Sequence, residues 1–175
     1  MWDSGAVMET TTVTRDTLVL GIGNSLLSDD GVGIHVITAL DELRQRGGFG
    51  HPARLRDGGT IGLALLSDIE ESAALIVIDA MELGAEAGTL RCFTGTDMDR
   101  QLGGKKRTAH EVALADLMDA ARLTGHVPQR RALVAIQPGS TDWGLSPGPE
   151  VAAAVPRACG LVVELLEEWC NEPRT

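Results

Sequence analysis

The sequence has no tyrosine, two phenylalanines and three tryptophans in 175 residues. Its core must therefore be filled by Val, Leu, Ile and Ala, and the aromatic platforms on which single-stranded nucleic acid stacks are missing. Positive charge is also short: 15 Lys and Arg stand against 25 Asp and Glu, a formal net charge of −10. Such a surface repels phosphate backbones and anionic lipid, which argues against nucleic acid and membrane as partners. The three cysteines, Cys92, Cys159 and Cys170, show no C-x-x-C spacing. Neither a disulfide framework nor a zinc ribbon is indicated, and a reducing cytoplasm is the expected setting. No uncharged apolar run reaches the roughly 18–20 residues of a membrane span. The Thr-rich start, with Asp3 and Glu9, lacks the basic and apolar regions of a secretory signal. Residues 1–16 are expected to be a disordered extension, with Met8 an alternative first residue, ahead of a single domain over 17–175.

What is present is a 43% hydrophobic chain with 21 glycines, which excludes intrinsic disorder over its length. Thr17–Ile22 reads as a strand buried on both faces, Val32–Arg46 as a helix stopped by Gly47-Gly48, and Ala53–Arg56 as a weak strand before the turn Asp57-Gly58-Gly59-Thr60. A helix over about Ile61–Asp68, strands at Ala74–Ile78 and Thr89–Phe93, a helix at His110–Leu123 and a strand at Ala132–Ile136 follow. A last helix, about Pro147–Cys170, should kink at Pro156. Alternating strands and helices predict a three-layer, doubly wound α/β domain with a mostly parallel five-stranded sheet and helices on both faces. The connection Ala80–Gly88 is too short for a crossover helix, so the fourth strand is expected to run antiparallel, in the order 2-1-3-5-4.

Ligands of such sheets bind beyond the carboxyl ends of the strands, where strand order reverses. After the first strand stands Gly21-Ile22-Gly23-Asn24-Ser25-Leu26-Leu27-Ser28-Asp29-Asp30-Gly31-Val32-Gly33. Leu26 breaks a G-x-G-x-x-G fingerprint, and no Lys-Ser/Thr pair makes a P-loop. A flavodoxin-like nucleotide or flavin module is disfavoured, because Asp29 and Asp30 would repel phosphate. Either acid is a candidate helix cap, yet two exceed what a cap requires. Asp79 abuts the most apolar strand, a costly place for a carboxylate without a hydrogen-bonded or metal partner. Asp57 is most simply read as turn chemistry. Thr108-Ala109-His110-Glu111 has the form of a capping box and places His110 in a first helical turn, where the helix dipole favours a neutral imidazole. The loop Gly95–Arg107 before it reads as structureless. His35, His51 and His126 read as structural or exposed, and Cys159 as core. Asp30, Asp79 and His110 would make an O/O/N site with open positions, suited to Zn²⁺ or Ni²⁺.

These blocks, with Val77-Ile78-Asp79-Ala80 and Ile136-Gln137-Pro138, resemble the hydrogenase maturation endopeptidases from Leu18 to Trp169, in order and approximate spacing. The resemblance implies a cytoplasmic endopeptidase that removes a C-terminal extension from the large-subunit precursor of a nickel–iron hydrogenase after nickel insertion. It implies Asp30, Asp79 and His110 as nickel-recognising ligands. The Ni²⁺ would be carried by the precursor, and other divalent ions such as Zn²⁺ or Cd²⁺ would also fit. Asp30 and Asp79 are the expected catalytic carboxylates, with Asp29 a further candidate, and a monomer is expected. The main alternative is a metal-binding maturation chaperone without protease activity. Departures from the family pattern are the N-terminal extension and the basic segment Gly103–Arg107.

Overall fold

The structure, a computed structural model, describes residues 16–60, 62–104 and 109–171. The expected N-terminal extension, but for Asp16, and Thr108 of the capping box lie outside the described residues. The elements run β1 (Thr17–Ile22), α1 (Val32–Gln45), β2 (Ala53–Gly59), α2 (Ala64–Glu71), β3 (Ala74–Ala80), β4 (Leu90–Thr94), α3 (Thr96–Leu102), α4 (Ala109–Leu123), β5 (Arg130–Ile136) and α5 (Pro149–Asn171), with a short 3-10 turn at Ser28–Gly31 before α1. The sheet order is β2-β1-β3-β5-β4, as the sequence predicts. β4 pairs antiparallel with β5, and the other neighbours are parallel.

Every residue of β3 is buried, because both faces of the sheet are covered. Side chains alternate between two cores. Val19, Ile76, Ile78 and Val134 pack with Val32, Val36 and Leu40 of α1 and Val151, Val162 and Leu166 of α5. Leu20, Leu75, Val77 and Leu133 pack on the opposite side with Leu65 of α2, Met98 of α3 and Leu114 and Met118 of α4. The two-residue period of a strand gives Asp79 the parity of Leu75 and Val77, which directs it to the α4 face.

α1 lies unusually close to the sheet because glycines meet glycines. A Cβ on Gly21 would stand 2.3 Å from the Gly33 carbonyl oxygen, and one on Gly33 would stand 2.3 and 2.4 Å from the carbonyl oxygens of Ile22 and Ile78. The glycines thus serve backbone packing.

Three expectations about elements need correction. α2 begins at Ala64 and not near Ile61, since its buried stripe is Leu65 and Ile69. β2 continues through Asp57 to Gly59, paired with Gly21 and Ile22 across a register shift, so the expected turn starts later. The stretch after Gly95 holds α3 and is not structureless. Its Asp99 accepts from Arg131 Nη2 at 2.6 Å and from Arg122 Nη2 at 2.7 Å, long-range ion pairs without a local sequence signature. α5 runs on as a helix without a break through Pro156, where the kink is expected. Pro156 and Ala152 are both exposed, so water can take the carbonyl that proline leaves without a donor.

Candidate active site

The carboxyl edge of the sheet gathers the acidic loop, Asp79 and the start of α4. The Gly23 N–H donates to the Gly59 carbonyl at 2.9 Å, which ties the end of β1 to β2. Gly23 has φ +141°, and a Cβ there would sit 1.9 Å from the Asp30 carbonyl oxygen, so only glycine lets the loop fold back upon itself. The loop then closes on Asp30, whose Oδ2 accepts the Asn24 N–H at 3.0 Å. Asp30 Oδ1 is 3.7 Å from His110 Nδ1, and Asp79 Oδ1 is 3.8 Å from the same nitrogen. The three residues therefore converge, with His110 and Asp30 partly open and Asp79 only 1% exposed. Neither acid caps α1: its N-cap is Gly31, without a side-chain cap bond, and the preceding turn is likewise uncapped by side chains.

Neither oxygen of Asp79 has a hydrogen-bond partner. Burial pushes its carboxyl above the usual range, His110 opposes that shift and Asp30 adds to it. The His110 imidazole is raised by Asp79 and then Asp30, against desolvation. Helix-dipole reasoning favours a neutral ring, whereas the two carboxylates within 4 Å of Nδ1 favour the protonated one. When protonated, the imidazole serves both carboxylates as a counter-charge. Among the described residues, no group of three or more His, Cys, Asp or Glu side chains stands as a ready metal cage. The three donors would have to draw together around an ion. The unsatisfied, buried Asp79 carboxylate is the feature that fits such an ion.

Asp29, the further candidate carboxylate, is engaged by the backbone. It is 2% exposed, and its Oδ2 accepts the N–H groups of Gly139 at 2.7 Å and Ser140 at 2.9 Å while Oδ1 accepts that of Gly148 at 2.6 Å. These bonds hold the β5–α5 loop against the Asp30 loop, just ahead of the positive end of the α5 dipole. A carboxylate engaged by three backbone donors is a staple, unsuited to act as a base. Asp29→Ala is expected to cost about 3 kcal/mol or more, since it strands several donors at once. Urea unfolding measures the loss, and a change under about 1 kcal/mol would refute the staple.

Asp57 behaves as its turn reading expects, its Oδ1 accepting the Gly59 N–H at 2.8 Å. His51 lies 4.0 Å from Glu167, His126 is exposed, and Cys159 is buried against α1 with Sγ 3.8 Å from the Val36 carbonyl. The sequence reading missed the role of Gln137. Its buried amide accepts from the Leu83 N–H at 2.7 Å and donates to Glu82 at 3.1 Å, organising the loop that follows Asp79. The Ile136-Gln137-Pro138 block and its place directly after an apolar strand singled it out, without assigning it a role.

A doubly wound α/β domain with an acid–imidazole cluster at its switch point, in place of a phosphate cradle, has the layout of an enzyme of hydrolytic or metal-centred chemistry. The family model for hydrogenase maturation proteases matches residues 34–165. A hydrogenase expression/formation protein, HupD of Bradyrhizobium diazoefficiens, is 34% identical over 163 residues, covering 93% of this chain and 83% of its own length. The hydrogenase 2 maturation protease of Escherichia coli is 34% identical over 152 residues, covering 86% of this chain and 90% of its own. The solved structure of the E. coli hydrogenase maturating endopeptidase HybD superposes with a TM-score of 0.80 at 30% identity, over 89% of this chain and 94% of that one. The chain belongs to the hydrogenase maturation protease family. No helix among the described residues is long and apolar enough to cross a membrane.

Proposed function

We propose that this endopeptidase removes the C-terminal extension of a nickel–iron hydrogenase large-subunit precursor, and that Asp30, Asp79 and His110 recognise nickel already seated in it. The supporting observation is the fully buried Asp79 carboxylate, without a hydrogen-bond partner and facing, at 3.8 Å, an imidazole that also faces Asp30. Leaving it so is costly, and a cation brought by the substrate would remove that cost. Nickel delivered in this way belongs to the substrate, where it can polarise the scissile carbonyl. Asp79 would anchor the ion from the sheet edge and His110 would do so from the start of α4, giving up its proton. Asp30 is held through Oδ2 by the Asn24 N–H, which leaves Oδ1 on the cluster side to accept a proton from the attacking water. A proton-sharing Asp30–Asp79 pair is less favoured because it leaves His110 without a task.

The test is cleavage of purified precursor, followed by mass spectrometry. Nickel-loaded precursor is expected to lose its extension in a single cut, while metal-free precursor and casein stay intact. Inhibitors directed at serine or cysteine nucleophiles should have no effect. His110→Ala should abolish the cut while remaining folded. Equal processing of metal-free precursor would overturn nickel recognition in favour of the proton-sharing pair, and no cut of loaded precursor would favour the chaperone alternative.

A further inference from the structure

Six large apolar side chains stand exposed among the described residues, and five of them lie at the carboxyl edge of the sheet, the edge that carries the acid–imidazole cluster. Leu63 (80% exposed) follows β2, Leu26 (47%) follows β1, Val112 (42%) is in the first turn of α4, and Trp143 (82%) and Leu145 (73%) follow β5. Only Leu123, at the far end of α4, lies at the other edge.

Trp143 and Leu145 are mounted on a braced loop. Gly144 between them forms a parallel bridge to Leu27, donating to the Leu26 carbonyl at 3.0 Å and accepting the Ser28 N–H at 2.8 Å. A Cβ on Gly144 would meet Ser28 Oγ at 2.3 Å, so the close contact depends on glycine. The Ser28 hydroxyl donates to the Asp142 carbonyl at 2.9 Å, and Asp29 grips the same loop at Gly139, Ser140 and Gly148. The loop bearing these apolar residues and the loop bearing Asp30 are thus one hydrogen-bonded unit. An exposed tryptophan on a pre-ordered loop loses little conformational entropy on binding, which suits an anchor residue.

We infer that the Leu26–Trp143–Leu145 rim, extended by Leu63 across the sheet edge, is the docking surface for apolar side chains of the precursor flanking its scissile bond. The inference rests on the proposed function and adds where substrate selectivity resides. Continuity decides the occupant: a peptide bond reaching Asp30 and His110 must cross the loops that bear these residues. The loops after β2 and β5 are separated by three strand spacings, about 14 Å, which an extended segment of about four residues spans. Apolar anchors with few charged partners also explain how an acidic protein holds a substrate without relying on ion pairs.

Steady-state cleavage of nickel-loaded precursor, together with calorimetric binding of metal-free precursor, tests this. Trp143→Ala and Leu145→Ser are each expected to raise KM about 10-fold or more, with kcat within about 2-fold, and to weaken binding of the metal-free precursor in parallel. Leu123→Ala, with a side chain as exposed at the far edge, should change neither. Unchanged KM and binding in both rim variants would overturn the docking surface. So would a parent protein that sediments as a dimer and becomes monomeric on Trp143→Ala, since the occupant would then be a second copy. If metal-free precursor is cut as fast as loaded precursor, the nickel reading fails, while the KM shifts still judge the rim.

Discussion

Asp79→Asn is expected to lose on the order of 100-fold or more in cleavage of nickel-loaded precursor and yet to be more stable than the parent at pH 7. The site requires a carboxylate that the fold satisfies poorly: Asp79 is 1% exposed, neither of its oxygens has a hydrogen-bond partner, and His110 Nδ1 faces it at 3.8 Å. Replacing a buried, unsatisfied charge by a neutral isostere should recover about 1–3 kcal/mol, a few degrees in Tm for a chain of this size. The pH dependence has a definite sign. Burial raises the folded Asp79 carboxyl above its unfolded value, so folding retains a proton there and stability falls as pH rises from about 4. Asp79 and Asp30 raise His110 in the folded state, so its contribution is complete below about 6.5 and is lost as pH climbs through the raised value. Both shifts act in the same direction. The advantage of Asp79→Asn should therefore be small near pH 4–5 and widen toward neutrality in urea titrations. A variant less stable than the parent at every pH would show that Asp79 is a structural group and not one held in reserve for a ligand.

Gly33→Ala is expected to cost about 3 kcal/mol or more, enough to deplete folded protein in a marginally stable domain. The added methyl would meet backbone carbonyls of both β1 and β3, and neither strand can move without breaking parallel pairs that cross the centre of the sheet. Gly50→Ala is the control: nothing lies within 4 Å of a Cβ there, and the change should stay within about 0.5 kcal/mol. If Gly33→Ala melts like the parent, α1 does not rest on the sheet through backbone contact.

The sequence alone determined the strand order, the antiparallel fourth strand and the layering. Buried strands such as ALIVI, amphipathic stripes such as Val32, Val36 and Leu40, and a connection too short for a crossover helix are local signals. The topology rules for α/β sheets then leave few arrangements. It also pointed to Asp30, Asp79 and His110 by position, at strand ends and a helix start, and the tertiary structure set both carboxylates within 4 Å of the His110 Nδ1. Other features were decided only in three dimensions, because they depend on partners far away in sequence. Asp29 and Asp30 are indistinguishable as neighbours. A 3-10 turn sends one carboxylate to the backbone donors of Gly139, Ser140 and Gly148, more than 100 residues on, and the other to the imidazole. α3 carries too short a stripe, Met98 and Leu102, to be read from periodicity, and is fixed by charges on β5 and α4. The direction of the His110 shift, upward, was also decided in three dimensions, since Asp79 and Asp30 face its ring from other elements of the fold.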